Sequence, residues 1–285
     1  MKRILLAVAC LALSATGARA QKFNDLARTP PMGWNSWNRF QCNVSEQLIR
    51  ETADAIVSSG MKAAGYTYVN IDDCWHGQRD SLGVIHPDAQ RFPSGMKALA
   101  DYVHSKGLKL GIYSDAGWQT CGGRPGSRGH EYQDAVTYAG WGIDYLKYDW
   151  CNTDNLNAHG AYETMARALM SAGRPIVFSL CEWGNNKAWE WATNLGHLWR
   201  TTGDIGPCFD CLYDHLEAVG RHVHPRHADP AAAVRRAGAL ERPGHARGRQ
   251  RHERERGPRP LLHVGDAGGP AHRRQRRRAH ARTRA

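Results

Sequence analysis

Leu146-Lys147-Tyr148-Asp149-Trp150-Cys151 and Trp199-Arg200-Thr201-Thr202-Gly203-Asp204 each run a short apolar segment into an acid. Strands of a parallel barrel deliver side chains to the open rim in this way, at their C-terminal ends. Two carboxylates facing one pocket suit a nucleophile and a proton donor.

The same unit recurs on both sides of Asp149. Short apolar or β-branched runs lie at Met32 to Trp34, Tyr66 to Ile71, Lys109 to Tyr113, Tyr145 to Tyr148, Ile176 to Ser179 and Leu198 to Thr201, six strand candidates in all. Helical patterns fill the gaps. Ser45 reads as the N-cap of a helix with Ile49, Ala53, Ile56 and Val57 on one face and Gly60 past its end. Further helices are expected from Met96 to Ser105 before Gly107, from His130 to Ala139 before Gly140, and from Ala161 to Ala172 before Gly173. Alternating strand and helix predicts a parallel sheet. No glycine-rich phosphate loop follows the first strand, so a (β/α) barrel is expected over an open doubly wound sheet.

Acids crowd the strand ends. Asp72-Asp73-Cys74-Trp75, Ser114-Asp115, Asp149-Trp150, Cys181-Glu182-Trp183 and Gly203-Asp204 each follow a strand candidate. A single such acid is ordinarily a cap or turn former. Carboxylates beside aromatics are what a sugar site requires: ionised oxygens accept from hydroxyls while an indole covers the apolar face of the ring.

Composition narrows the function classes. The 285 residues are 41% hydrophobic, with ten Trp and ten Tyr, enough for a sizeable core. Lys2 and Arg3, an apolar stretch from Ile4 to about Ala15 and Ala18-Arg19-Ala20 read as a signal peptide over 1–20, so a secreted or periplasmic protein with no membrane anchor after cleavage is expected. Cys42, Cys74, Cys121, Cys151, Cys181, Cys208 and Cys211 would remain, which agrees with an oxidising compartment. Cys208-Phe209-Asp210-Cys211 has the spacing of half a zinc knuckle, but no second cysteine half follows, so neither metal nor cofactor is expected. The net charge of +11 suggests a nucleic-acid partner only until it is located: residues 216–285 hold 18 Arg against 6 acids, and the preceding 215 hold 20 Lys and Arg against 21 acids. The Arg-rich segment has no Phe, Tyr or Trp to stack on bases, so no nucleic acid is expected as a partner.

Five segments carry a family likeness. Pro31-Met32-Gly33-Trp34-Asn35-Ser36-Trp37, Asn70-Ile71-Asp72-Asp73-Cys74-Trp75, Gly111-Ile112-Tyr113-Ser114-Asp115, Tyr145-Leu146-Lys147-Tyr148-Asp149-Trp150-Cys151 and Arg200-Thr201-Thr202-Gly203-Asp204-Ile205 resemble, in order and spacing, glycoside hydrolase family 27, the α-galactosidases or melibiases. The likeness runs from about Leu26 to His215. It implies a (β/α)8 barrel that hydrolyses terminal α-linked galactose with retention, from small or oligosaccharide galactosides. The alternatives are an α-N-acetylgalactosaminidase and a non-catalytic sugar-binding relative.

The resemblance also assigns residues. Asp149 would be the nucleophile and Asp204 the general acid and base. Lys147 shares a strand face with Asp149, where its cation favours the ionised carboxylate. Asp72 and Asp73 would bind the 4- and 6-hydroxyls, Trp37 would line the ring, and Lys147 would reach the 3- and 4-hydroxyls. Cys181-Glu182-Trp183-Gly184 would set specificity, with Glu182 and Arg200 at the 2-hydroxyl; a plain reading of Arg200 is an ion pair at the barrel mouth. Disulfides are implied between Cys42 and Cys74 and between Cys121 and Cys151.

Departures from the family pattern concern the far end. Residues 21–215 supply six strands of an incomplete barrel, and residues 216–285 read as a disordered basic tail rich in the residues of GC-rich codons. Read one nucleotide later, the codons from Arg235 to His245 permit a Trp-Asn-Asp-Pro-Asp string like that family's loop after strand seven. A frameshift near Asp214 to Leu216 is therefore expected, with two exposed sheet edges and little or no activity in the 285-residue chain.

Overall fold

The computed structural model describes residues 22–204. The signal-like segment 1–20, Cys208, Cys211 and the Arg-rich segment 216–285 lie outside them. The element order is β1 (Gly33–Asn35), α1 (Trp37–Phe40), α2 (Glu46–Ser58), β2 (Tyr68–Asn70), β3 (His76–Arg79), β4 (Ile85–Pro87), α3 (Gly95–Ser105), β5 (Lys109–Asp115), α4 (Glu131–Trp141), β6 (Tyr145–Asp149), α5 (Ala158–Ser171), β7 (Val177–Cys181), α6 (Ala188–Trp191), a 3-10 turn (Ala192–Asn194) and β8 (Leu198–Trp199).

Six strands form one sheet in the order β1-β2-β5-β6-β7-β8, which is also their order along the chain. Every neighbouring pair is parallel. Sequence order with parallel neighbours and crossover helices is the wall of a (β/α)8 barrel, here as an arc of six staves. All six strand candidates are present, within a few residues of the expected bounds.

Packing separates the two faces of each central strand. Leu146 and Tyr148 of β6 are fully buried, and Tyr148 meets Tyr162 of α5 edge-on at 5.5 Å. Side chains two apart share a face, so Lys147 and Asp149 take the opposite one. Helices cover the outer face by their apolar stripes. On α2, Ser45 Oγ accepts from the Leu48 N–H at 3.3 Å, and Ile49, Ala53 and Ile56 are buried. Each of the two isoleucines contributes about 1.5–3 kcal/mol. Close strand approach needs glycine at one point: a Cβ on Gly33 would sit 2.2 Å from the Tyr68 carbonyl oxygen.

Two local expectations are corrected, and one element is additional. Val57 is 40% exposed, because eight residues after Ile49 it has rotated off the narrow buried stripe. Helix α4 runs through Gly140 to Trp141 and stops at Gly142, whose φ of 83° closes the last turn. Trp141 is held by packing edge-on against Trp75 at 5.6 Å. The antiparallel hairpin β3–β4 has no counterpart in the sequence reading. Its turn is made by Asp80, whose Oδ1 accepts from the Leu82 and Val84 N–H groups. Its Arg79 forms a bidentate pair, both contacts 2.7 Å, with the fully buried Asp134 of α4.

Candidate active site

The C-terminal ends of five of the six parallel strands carry the expected acids to one rim. At the end of β2, Asp72 is held from three sides: Oδ2 accepts from Asn35 Nδ2 at 2.8 Å and from Lys147 Nζ at 3.0 Å, while Oδ1 accepts from the Asp73 N–H. Lys147 thus bridges β6 to β2, and its Nζ also lies 5.1 Å from the centre of the Tyr113 ring. Asp73 accepts from the N–H groups of Cys74 and Gly122, both at 2.6 Å. Burial pushes its carboxyl above the ordinary range, against the pull of those N–H groups.

Asp149 closes β6. It is 5% exposed, with Oδ1 accepting from the Trp150 N–H at 3.0 Å. Its register partners are Asp115 on β5 and Cys181 on β7. Asp115 is fully buried; Oδ1 accepts from the Gly117 N–H at 2.7 Å and Oδ2 from the Cys151 N–H at 2.9 Å. Burial, reinforced by the charge of Asp149, raises its carboxyl to about 8. At neutral pH it is a neutral acid beside Asp149, which spares the strand ends a pair of like charges.

On the far side, Arg200 keeps the ladder by donating its N–H to the Leu180 carbonyl, and its guanidinium pairs with Asp204. The same guanidinium points at the Cys181 sulfur, 3.9 Å away. Glu182 is buried within its own loop, where its oxygens accept from the N–H groups of Gly184, Asn186 and Ala188. Burial raises its carboxyl despite those donors. Trp183 is half-buried with φ of 59°, a left-handed conformation that is uncommon for a bulky residue. Trp37 is half-buried and donates its N–H to Asn35 Oδ1.

Two disulfides fix this rim. Cys42 joins Cys74 and Cys121 joins Cys151, each with Cα atoms 5.1 Å apart, in the pairing the resemblance implies. Cys181 is outside both. Ligand atoms of Asp115, Cys121 and Cys151 gather within 4.8 Å of one another, but both sulfurs are committed to the disulfide, so no thiolate is on hand for a metal.

The structure therefore sets Asp72 against Lys147, Asp149 beside Cys181, and Arg200 against Asp204, all on one rim. Asn35 and Asp115 stand in motifs that the sequence reading quoted without a role. The signal for both was their place at a strand end; the partners they hold come from other strands.

The family profile described as alpha galactosidase A matches residues 29–233, about seven-tenths of the chain. The chain belongs to the α-galactosidase family, glycoside hydrolase family 27. Alpha-galactosidase A of Cellvibrio japonicus (strain Ueda107) is 65% identical over 216 residues, covering 75% of this chain and 54% of that protein. The crystal structure of α-galactosidase I from Mortierella vinacea superposes with a TM-score of 0.66 at 46% identity, covering 70% of this chain and 53% of that one. The Saccharomyces cerevisiae α-galactosidase solved with raffinose gives a TM-score of 0.65 at 42% identity, covering 67% and 43%. The chain thus spans about half the length of the α-galactosidases it matches. No helix among the described residues is long and apolar enough to cross a membrane.

Proposed function

We propose that this rim is the galactose site of a retaining α-galactosidase. Asp149 attacks the anomeric carbon while Asp204 protonates the glycosidic oxygen; the old C–O bond breaks and a galactosyl ester forms on Asp149. Asp204 then takes a proton from water, which attacks the same carbon and releases the ester as α-galactose. Retention of this kind places the two carboxyl groups roughly 5–5.5 Å apart. Asp72, Asp73, Lys147 and Trp37 hold the sugar, and the Cys181-Glu182-Trp183 loop and Arg200 shape the ground around the 2-hydroxyl.

One observation carries the reading: Asp149 is a buried carboxylate at the end of a barrel strand, on the same rim as Asp204, in a chain of this family. Raffinose, bound by the yeast relative, gives the substrate class: galactose on an oligosaccharide. The two disulfides and the leader-like segment support an exported protein. The deciding experiment follows p-nitrophenyl α-galactoside by proton NMR and identifies the first anomer released by the 285-residue chain. α-Galactose is expected, read before mutarotation equilibrates the anomers or, where turnover is slow, as the methyl α-galactoside trapped by added methanol. β-Galactose first, or the same rate in Asp149→Asn, would refute the mechanism. Galactose binding without any turnover would support a sugar-binding relative only if the chain restored to the shifted frame also binds galactose without turnover.

A further inference from the structure

We propose that Trp118 and Arg128 form an aglycone subsite, a stacking platform for the sugar on the leaving-group side of the scissile bond. The proposal rests on the galactoside reading above and names where the rest of such a substrate lies. Trp118 is 56% exposed. Lone exposed apolar residues are ordinary. Of the other exposed large apolar residues, Val57, Tyr132 and Val136 lie on helices α2 and α4 and Leu82 at the hairpin turn. Leu82 and Trp118 both stand on segments that leave the strand ends, but Leu82 comes ten residues after Asp72 at the tip of the hairpin, whereas Trp118 follows Asp115 by three.

That loop is built to hold an indole in water. The Trp118 N–H donates to the Asn152 carbonyl, and its own carbonyl accepts from the Gly126 N–H at 2.9 Å. Asn152 Nδ2 reaches back to the carbonyls of Gln119 and Thr120, both at 3.1 Å, and the Cys121–Cys151 disulfide locks the two loops together. Gly117 makes the approach possible, since a Cβ there would lie 2.0 Å from the Cys151 carbonyl oxygen. The Arg128 guanidinium sits 4.4 Å from the indole centre and is itself tied to the Thr153 carbonyl at 3.2 Å. With the guanidinium over one face, the indole keeps its other face as an apolar surface, and the guanidinium N–H groups not bonded to Thr153 supply donors for hydroxyls, together the chemistry that recognises a pyranose.

Position supplies the rest. The Ala116 N–H bonds the Asp149 carbonyl, and the Trp118 N–H bonds that of Asn152, so the loops run outward side by side from the nucleophile. Asn152 follows Asp149 by three positions, so its backbone lies within about 11 Å of the nucleophile's, and the Trp118 backbone is hydrogen-bonded to it. A sugar joined to a galactose on Asp149 falls in that range.

The test measures binding of the sulfur-linked analogues of methyl α-galactoside and raffinose, which glycoside hydrolysis does not consume, by calorimetry on the 285-residue chain. The raffinose analogue should bind roughly three- to tenfold tighter than the methyl analogue, the worth of one aromatic stacking contact. Trp118→Ala should abolish that preference and leave the methyl analogue unchanged, while Trp118→Phe should keep part of it. No preference in the parent chain, or the same preference in Trp118→Ala, would overturn the subsite. If the methyl analogue fails to bind the parent, the galactose reading fails. Sucrose, raffinose without its galactose, then decides the platform separately: binding lost in Trp118→Ala upholds it, and absence of binding overturns it.

Discussion

Asp115 and Asp149 are register partners at the ends of adjacent parallel strands, one fully buried with its carboxyl raised to about 8, the other reaching the rim. Folding thus places a neutral acid beside the proposed nucleophile and spends its oxygens on the backbone of Gly117 and Cys151.

Stability should therefore depend on pH in a defined direction. Unfolded, the Asp115 carboxyl loses its proton near its ordinary value of 3.8; folded, it keeps it to about 8. Between these values the native state binds the extra proton, so stability falls by about 1.4 kcal/mol per pH unit as pH rises, and levels off above 8. Urea unfolding at several pH values between 5 and 8 measures the slope. Asp115→Asn should flatten it; equal slopes in variant and parent would show that Asp115 is not the group responsible.

The rim disulfides close loops with sequence separations of 32 and 30 residues. Replacing Cys42 and Cys74 by serine should cost about 2–4 kcal/mol, and replacing Cys121 and Cys151 a similar amount. The second pair should also disturb galactose binding, because Cys151 follows Asp149 by two residues and donates to Asp115. Thermal unfolding with a galactose titration separates the two effects.

Arg79 is the sole cation bonded to Asp134 among the described residues. Arg79→Met should destabilise by about 3–5 kcal/mol, since it strands a buried carboxylate. Adding Asp134→Leu should recover much of the loss. A double variant as unstable as the single one would argue that Arg79 matters through its bonds to the Gly83 and Gly126 carbonyls instead.

Asp149→Asn should remove measurable turnover on every galactoside. In the chain restored to the shifted frame, Asp204→Asn should cost about 10²–10⁴-fold on raffinose, the usual worth of general acid catalysis, and less on p-nitrophenyl α-galactoside, whose leaving group needs little protonation. Steady-state rates on the two substrates check this; equal losses on both would reassign Asp204 to binding.

The primary sequence by itself determined the six strands, the helix between most of them, the acids at their ends and, through five ordered motifs, the family. These are local features: a strand's side chains alternate with period two, a helix's with 3.6, and a carboxylate after an apolar run is visible wherever the run ends. The hairpin β3–β4 was not legible, because Gly77 and Pro87 interrupt its pattern and Arg79 acquires its meaning only from Asp134, 55 residues away. Nor was the partner of Lys147: shared-face spacing pointed to Asp149, whereas its Nζ also crosses the rim to Asp72, 75 residues earlier. Asp115 looked like one more strand-end acid until the parallel register set it beside Asp149 and closed it from water. Residue types and spacing are written along the chain; which groups lose water, and whose charge they then meet, is decided only when strands distant in sequence are brought side by side.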